Sequence, residues 1–234
     1  MASEDVETPL TGGWVTNGVV RVGDTVRRPP AANGEFVRQL LRHLEDVGFE
    51  AAPRFLGLDE KGRQVLSFLD GEVPSDCRAI VWADSQLEAA ARLLRRFHDA
   101  TSGTDLAADT EVVCHNDFGP WNLVWYDGLP IGLIDFDEAA PGRRLDDLGY
   151  AVWKHLNLGL LELDTAEQAR RFKLMAAAYG VPADAALVAA IESAQERMKR
   201  KIDAAADEAG KTGALSQNRL ERNWFRAYAQ SLIE

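Results

Sequence analysis

Apolar and polar residues alternate along much of the first third of the chain, a period of two that is typical of half-buried β-strands. The alternation predicts strands at 14–21, 25–28, 54–58 and 64–69. A helix at 36–47 interrupts them, with Phe36 and Leu40 on its apolar face and Gly48 at its end. Residues 1–70 are therefore predicted to form a small, β-rich N-terminal lobe.

After residue 71, apolar residues recur with the period of a helix. Ser85, followed three residues later by Glu88, is a capping box, so the first of these helices is predicted to start there and to run to about His98. Further helices are predicted at 146–159, 165–179, 184–208 and 214–232. This pattern predicts a larger, mainly helical lobe over residues 71–234.

A hairpin lies within the helical lobe. Two β-prone runs, 123–126 and 131–134, flank Asp127 and Gly128, a pair that favours a tight turn. Such a hairpin brings Asn122 and Asp135 to the same end, where oxygen atoms from both side chains can share one cation.

Polar residues around this hairpin follow the order that phosphoryl transfer to a hydroxyl requires. Segment 113–122 reads VCHNDFGPWN, and segment 133–137 reads LIDFD. Asp117 is the predicted general base for the substrate hydroxyl, and Asn122 and Asp135 are the predicted Mg²⁺ ligands. The alternative is that Asn122 caps a turn and Asp135 ends a surface strand, but the residue identities, their spacings and the hairpin agree on phosphoryl transfer.

Segment 115–137 resembles the aminoglycoside phosphotransferase and choline kinase superfamily, whose pattern is His-x-Asp-x4-Asn followed by Ile-Asp-Phe/Trp-Asp/Glu. Segment 141–149, PGRRLDDLG, is similar to a family segment in which the residue matching Asp147 buttresses the catalytic loop. Segments 12–22 and 65–72 are similar to the family's first hairpin over ATP and to its hinge. The C-terminal third of the chain matches in helical character only.

The resemblance implies a two-lobed, protein-kinase-like α+β fold. It also implies that His115 packs beneath the catalytic loop and bonds the backbone near the metal-binding Asp. The hinge at Ser67, Phe68 and Leu69 would present backbone groups to adenine.

The small lobe departs from the protein-kinase pattern, because the strand that should carry a phosphate-binding Lys reads TVRR at 25–28. An arginine can bind the phosphates instead. Arg27 is favoured, because alternation with Val26 points it away from the apolar packing face, and Arg28 is the alternative. Neither Glu35 nor Glu45 falls at the position of the helical Glu that orients this cation. The Gly-rich loop is replaced by a short turn at 16–18.

Charge and composition restrict the partners. The 234-residue chain has a net charge of -11, which argues against nucleic acid and anionic membranes and leaves room for a cationic substrate. Acidic residues that could line the acceptor side are Asp137, Glu138, Glu192 and Glu196. With no apolar run of membrane-spanning length and no signal-like start, a cytoplasmic location is expected. Cys77 and Cys114 are expected to be buried thiols.

These features predict an ATP- and Mg²⁺-dependent phosphotransferase that acts on a hydroxyl of a small molecule, with an aminoglycoside-like or other cationic antibiotic as the leading acceptor. One alternative is a metabolite kinase for an amino alcohol or sugar. Another is a nucleotide-binding pseudokinase, which the missing strand Lys favours. The preference for ATP over GTP and the oligomeric state stay open.

Overall fold

The N-terminal part of the chain forms an antiparallel sheet accompanied by one helix. The computed structural model describes residues 6–10, 18–30, 32–160, 163–204 and 208–234. The sheet has the order β1-β2-β3-β5-β4 and consists of β1 (Thr8–Pro9), β2 (Val20–Val22), β3 (Thr25–Arg28), β4 (Phe55–Leu58) and β5 (Gln64–Ser67). Of the strand predicted at 14–21, residues 14–17 lie outside the described residues.

Helix α1 (Gly34–Asp46) lies between β3 and β4 in the chain. Its buried positions include Val37, Leu40, Leu41 and Leu44, which share one face at helical spacing. Phe36, predicted on that face, is only partly buried, since the stripe is centred on Val37 instead.

Two small antiparallel sheets follow. Strand β6 (Val112–Cys114) pairs with β9 (Ala140–Gly142), and β7 (Leu123–Tyr126) pairs with β8 (Leu129–Leu133). The β7–β8 turn is the predicted one, with φ values of 49° at Asp127 and 75° at Gly128, as a two-residue type I′ turn requires.

Helices make up most of the remaining chain. They are α2 (Asp84–Thr101), α3 (Arg144–Leu156), α4 (Thr165–Tyr179), α5 (Ala185–Ala204) and α6 (Glu208–Tyr228). Helix α4 has the predicted bounds, because the Asp164 side chain accepts a hydrogen bond from the Glu167 N–H at its start and Gly180 adopts φ 94° at its end. None of the described helices is long and apolar enough to cross a membrane.

Two predicted helix ends are wrong. Helix α2 begins at Asp84, before Ser85. The Gln86 side chain, in the first turn, accepts a hydrogen bond from the Ala83 N–H at 2.7 Å and so caps the start of the helix. Segment 210–213, GKTG, lies inside α6 and does not separate two helices. A glycine costs a helix about 1 kcal/mol, which tertiary context readily overrides.

A continuous core joins the helices to the β7–β8 hairpin and to α1. It includes Leu40, Phe97, Phe136, Trp153 and Phe225. Helices α3 and α5 approach so closely at Gly149 that an added Cβ would lie 2.6 Å from the Ala190 carbonyl carbon. The close approach fixes α3, which carries several site residues.

Candidate active site

The Asp117 carboxylate is held from two sides in the loop between β6 and β7. Its Oδ2 accepts from Asn122 Nδ2 at 2.8 Å, and its Oδ1 accepts from the Tyr150 hydroxyl at 2.5 Å. Both donors are buried, whereas Asp117 is only partly buried. The two donors therefore fix the orientation of the carboxylate. Because Asp117 is only partly buried, it remains partly accessible to solvent.

The sequence analysis missed Tyr150. Burial above all, and then the negative charge of Asp117, raises the pKa of the Tyr150 phenol well above its usual value, so the phenol stays a neutral donor. The available signal was helical spacing, since Tyr150 follows Asp147 by three residues on α3 and both side chains reach the same loop.

Asn122 and Asp135 lie at the same end of the hairpin, as predicted. Leu123 pairs with Leu133, and the Ile134 N–H donates to the Asn122 carbonyl at 3.0 Å. Asn122 Nδ2 donates twice to Asp117, to its backbone O and to Oδ2, which leaves Asn122 Oδ1 without a protein donor among the described residues. A free amide oxygen and a partly exposed carboxylate are hard oxygen ligands that fit Mg²⁺.

Asp147 anchors the backbone of the loop between β6 and β7. Its Oδ1 accepts from the Asn116 N–H at 2.8 Å, and its Oδ2 accepts from the His115 N–H at 2.7 Å. His98 Nε2 also donates to Oδ2 at 3.0 Å. Burial alone would raise the pKa of Asp147, but these bonds and the histidine charge bring it below its usual value. Asp147 is therefore an ionised buttress.

His115 lies where the resemblance implied, beneath the loop. Its ring is fully buried against Phe136, with ring centres 5.1 Å apart, and Nε2 is 3.0 Å from the Ile134 carbonyl. The residue that follows each partner of this contact adopts a left-handed backbone conformation. Asn116, after His115, has φ 63°, and Asp135, after Ile134, has φ 64°. Such strain in non-glycine residues is often concentrated at functional sites.

Arg28, not Arg27, reaches the end of the hairpin where Asp135 lies. Arg28 Nη1 lies 3.3 Å from Asp135 Oδ1, and Nη2 lies 2.5 Å from Asp137 Oδ2. Arg27 instead donates to Thr25 Oγ1 at 2.5 Å. The face shared by Val26 and Arg28 is turned toward the core and the hairpin, so the geometry favours Arg28, the alternative to the predicted Arg27.

The predicted hinge is only partly available to a ligand. The Ser67 N–H donates to the Arg54 carbonyl and the Phe68 N–H to the Asp24 carbonyl, both at 2.9 Å. In the part of the chain that the structure describes, the backbone groups of Leu69 have no protein partner. Of the turn predicted at 16–18, only Gly18 is among the described residues.

Comparisons with known proteins agree with this geometry. The profile of the phosphotransferase enzyme family matches residues 104–191. The trifolitoxin immunity protein of Rhizobium leguminosarum bv. trifolii is 32% identical over 259 aligned positions, which cover 97% of each chain.

Solved structures share the fold. The GDP complex of aminoglycoside 2'-phosphotransferase-IIIa superposes with a TM-score of 0.64 at 15% identity, over 95% of this chain and 94% of that one. Plasmodium vivax ethanolamine kinase has a TM-score of 0.64 at 12% identity, over 91% and 79%. The predicted two-lobed, kinase-like fold is confirmed.

Proposed function

This chain belongs to the phosphotransferase enzyme family that includes the aminoglycoside phosphotransferases, and on that premise we propose that it transfers the γ-phosphoryl group of ATP to a hydroxyl of a small molecule. Family membership confirms the predicted enzyme class, a small-molecule kinase. The observation that carries the specific proposal is the Asp117 carboxylate, held by Asn122 and Tyr150 beside the paired positions of Asn122 and Asp135.

Asp117 accepts the proton of the acceptor hydroxyl as the phosphoryl group is transferred. Asn122 and Tyr150 fix the carboxylate, and Asp147 fixes the loop backbone that carries it. Asn122 Oδ1 and Asp135 would hold Mg²⁺, which when bound neutralises negative charge on the transferred group. Residues 1–70 would bind the nucleotide, through Arg28 at the phosphates and Leu69 at the base, and residues 71–234 would carry the catalytic groups.

The acceptor pocket is proposed to lie beside Tyr150. Lys154, one helical turn further along α3, has its Nζ 3.7 Å from the buried carboxylate of Glu221 on α6. The acids expected to attract a cationic acceptor are mostly engaged elsewhere. Asp137 binds Arg28, Glu138 pairs with Lys201 at 2.8 Å, and Glu196 pairs with Arg222. Glu221 is paired as well, with Lys154, so selection of a cationic acceptor by any of these four acids would require displacing its basic partner.

An antibiotic or toxin remains the leading acceptor, with an amino alcohol or sugar as the alternative. The support is that the relative with 32% identity is the trifolitoxin immunity protein. Phosphorylation of a hydroxyl would protect a cell if it removed the toxin's binding to its target.

The test is mass spectrometry after incubation of the protein with ATP, Mg²⁺ and a panel of hydroxyl-bearing antibiotics, amino alcohols and sugars. We expect one compound to gain the mass of a single phosphate and Asp117→Asn to suppress that gain. A wild-type protein that binds ATP but modifies nothing, and hydrolyses nothing, would support the pseudokinase alternative.

A further inference from the structure

Arg28 carries one guanidinium from the N-terminal sheet to two carboxylates at the end of the catalytic hairpin. The contact with Asp137 is the short one at 2.5 Å, and the contact with Asp135 is 3.3 Å. The Arg28 side chain is 9% exposed, against 27% for Asp137 and 39% for Asp135, so the guanidinium is shielded from water while the carboxylates are partly accessible. Arg28 Nε and Asp137 Oδ1 are buried without a partner among the described residues.

A phosphate-binding cation on this strand needs a carboxylate that orients it, and in protein kinases a Glu of the following helix does so. Here the two glutamates of α1 are turned elsewhere. Glu35 binds Arg38 and Gln39, and Glu45 lies 3.6 Å from Arg54. The helix therefore offers Arg28 no orienting acid among the described contacts.

Asp137 is held firmly where such an acid is needed. The left-handed Asp135 turns the chain into the short 3-10 turn Phe136–Glu138, and Phe136 is buried between Phe97 and His115. This anchor presents the carboxylates of Asp135 and Asp137 to the same guanidinium. Asn33, just before α1, donates from Nδ2 to the Ala139 carbonyl at 3.4 Å, directly after this turn.

Resting on the nucleotide-binding function above, we propose that Asp137 is the positioning residue for Arg28 and replaces the helical glutamate. The guanidinium has a side edge, Nε with Nη2, that can pair with one carboxylate and a separate Nη1 that points onward. Asp137 holds Nη2, and its unpaired Oδ1 can complete the side pair with the unpaired Nε. Nη1 then leaves Asp135 for a phosphate oxygen, and Asp135 is released to the metal.

This arrangement ties the phosphate-binding cation directly to the catalytic hairpin. The alignment of Arg28 with Asp135 then depends on a carboxylate of the turn Phe136–Glu138 and not on a carboxylate carried by α1.

Calorimetry tests the proposal with two ligands, ADP without metal and a non-hydrolysable ATP analogue with Mg²⁺. We expect Asp137→Asn to weaken metal-free ADP binding on the order of 10-fold, about what one charge-assisted hydrogen bond contributes. Arg28→Gln should cost at least as much, and the double variant no more than Arg28→Gln alone. Asp137→Glu should retain part of the affinity, and the matched controls Glu35→Gln and Glu45→Gln should stay within about 2-fold of wild type.

Three results would overturn the proposal. The first is a loss of ADP affinity in the double variant that equals the product of the two single losses. The second is tighter ADP binding by Asp137→Asn. The third is a loss of affinity that appears only with Mg²⁺, which would make Asp137 a metal ligand. Thermal melts of each variant show whether it is folded. A wild-type protein that binds neither ligand would instead refute the proposed function itself.

Discussion

Asp117 shows how much of a residue's chemistry depends on its neighbours. Its spacing from His115 and Asn122 identifies it in the sequence, but the Tyr150 hydroxyl that holds its second oxygen comes from a helix after the hairpin. The same holds for Arg28, whose partners Asp135 and Asp137 are remote in sequence. At this scale, spacing predicts which residue type is needed, and the fold supplies its contacts.

Replacing Asp117 by Asn should lower turnover by about 10² to 10⁴-fold, because the amide cannot take the acceptor's proton. Nucleotide affinity should stay nearly intact, since the carboxylate contacts Asn122 and Tyr150 and not Arg28. Steady-state kinetics check the predicted loss of turnover, and calorimetry of ATP binding checks the predicted nucleotide affinity. Unchanged turnover would remove Asp117 from the mechanism.

Tyr150→Phe should lower kcat by about 10-fold, because one oxygen of Asp117 loses the donor that orients it. The KM for ATP should hardly change. Tyr126→Phe is the matched control, since Tyr126 is 64% exposed on the hairpin and touches none of the site residues described. Equal kcat values for the two variants would show that the phenol does not position the base.

At the scale of elements, α3 serves the site along its whole length. Asp147 near its start accepts hydrogen bonds from the loop backbone, Tyr150 donates to Asp117, and His155 near its end packs against Phe118, with ring centres 5.6 Å apart. His155 is buried, and within the described part of the chain only its Nδ1 has a hydrogen-bond partner, the Ala151 carbonyl at 2.8 Å. The helix is therefore sensitive to the charge of His155.

Burial lowers the pKa of His155 to about 4, against about 6.5 for an unfolded histidine. A depressed histidine pKa means that the unfolded chain takes up the proton first. The stabilising contribution is therefore complete above about pH 6.5 and is lost as the pH falls toward 4. Urea unfolding should show a loss on the order of 1 kcal/mol between pH 7.5 and 5.5. His155→Gln should flatten that change; an unaltered slope in the variant would assign it to other groups.

At the scale of the whole molecule, the nucleotide would bind where the N-terminal sheet meets the β7–β8 hairpin. The Arg28 ion pairs already join the two, and the segment that follows the sheet pairs with the hairpin through mutual bonds between Glu72 and Trp125, both 2.8 Å. At Gly71, an added Cβ would lie 2.6 Å from the Trp125 carbonyl oxygen, so the crossing is tight. A ligand held by both parts should stabilise the whole chain.

A non-hydrolysable ATP analogue with Mg²⁺, at about 100 times its Kd, should stabilise the fold by about 2.7 kcal/mol. For a chain of this size, that corresponds to a rise in Tm of about 5 to 10 °C. Asp135→Ala should abolish the Mg²⁺-dependent part of the rise, because a neutral Asn122 oxygen cannot replace the lost carboxylate. Differential scanning calorimetry with and without Mg²⁺ decides it. A full rise in the variant would mean that Asp135 does not bind the metal.

From local periodicity, turn chemistry and short spacings, the sequence alone predicts the β-rich and helical lobes, the hairpin and the candidate residues Asp117, Asn122 and Asp135. The kinase-like fold class is what its family resemblance implies. Tertiary structure decided the rest. Which arginine faces the hairpin depends on which side of β3 is packed against the core, and two adjacent arginines look alike in sequence. Tyr150 and Asp137 gain their roles only through contacts with residues far along the chain, and no local pattern encodes a long-range contact.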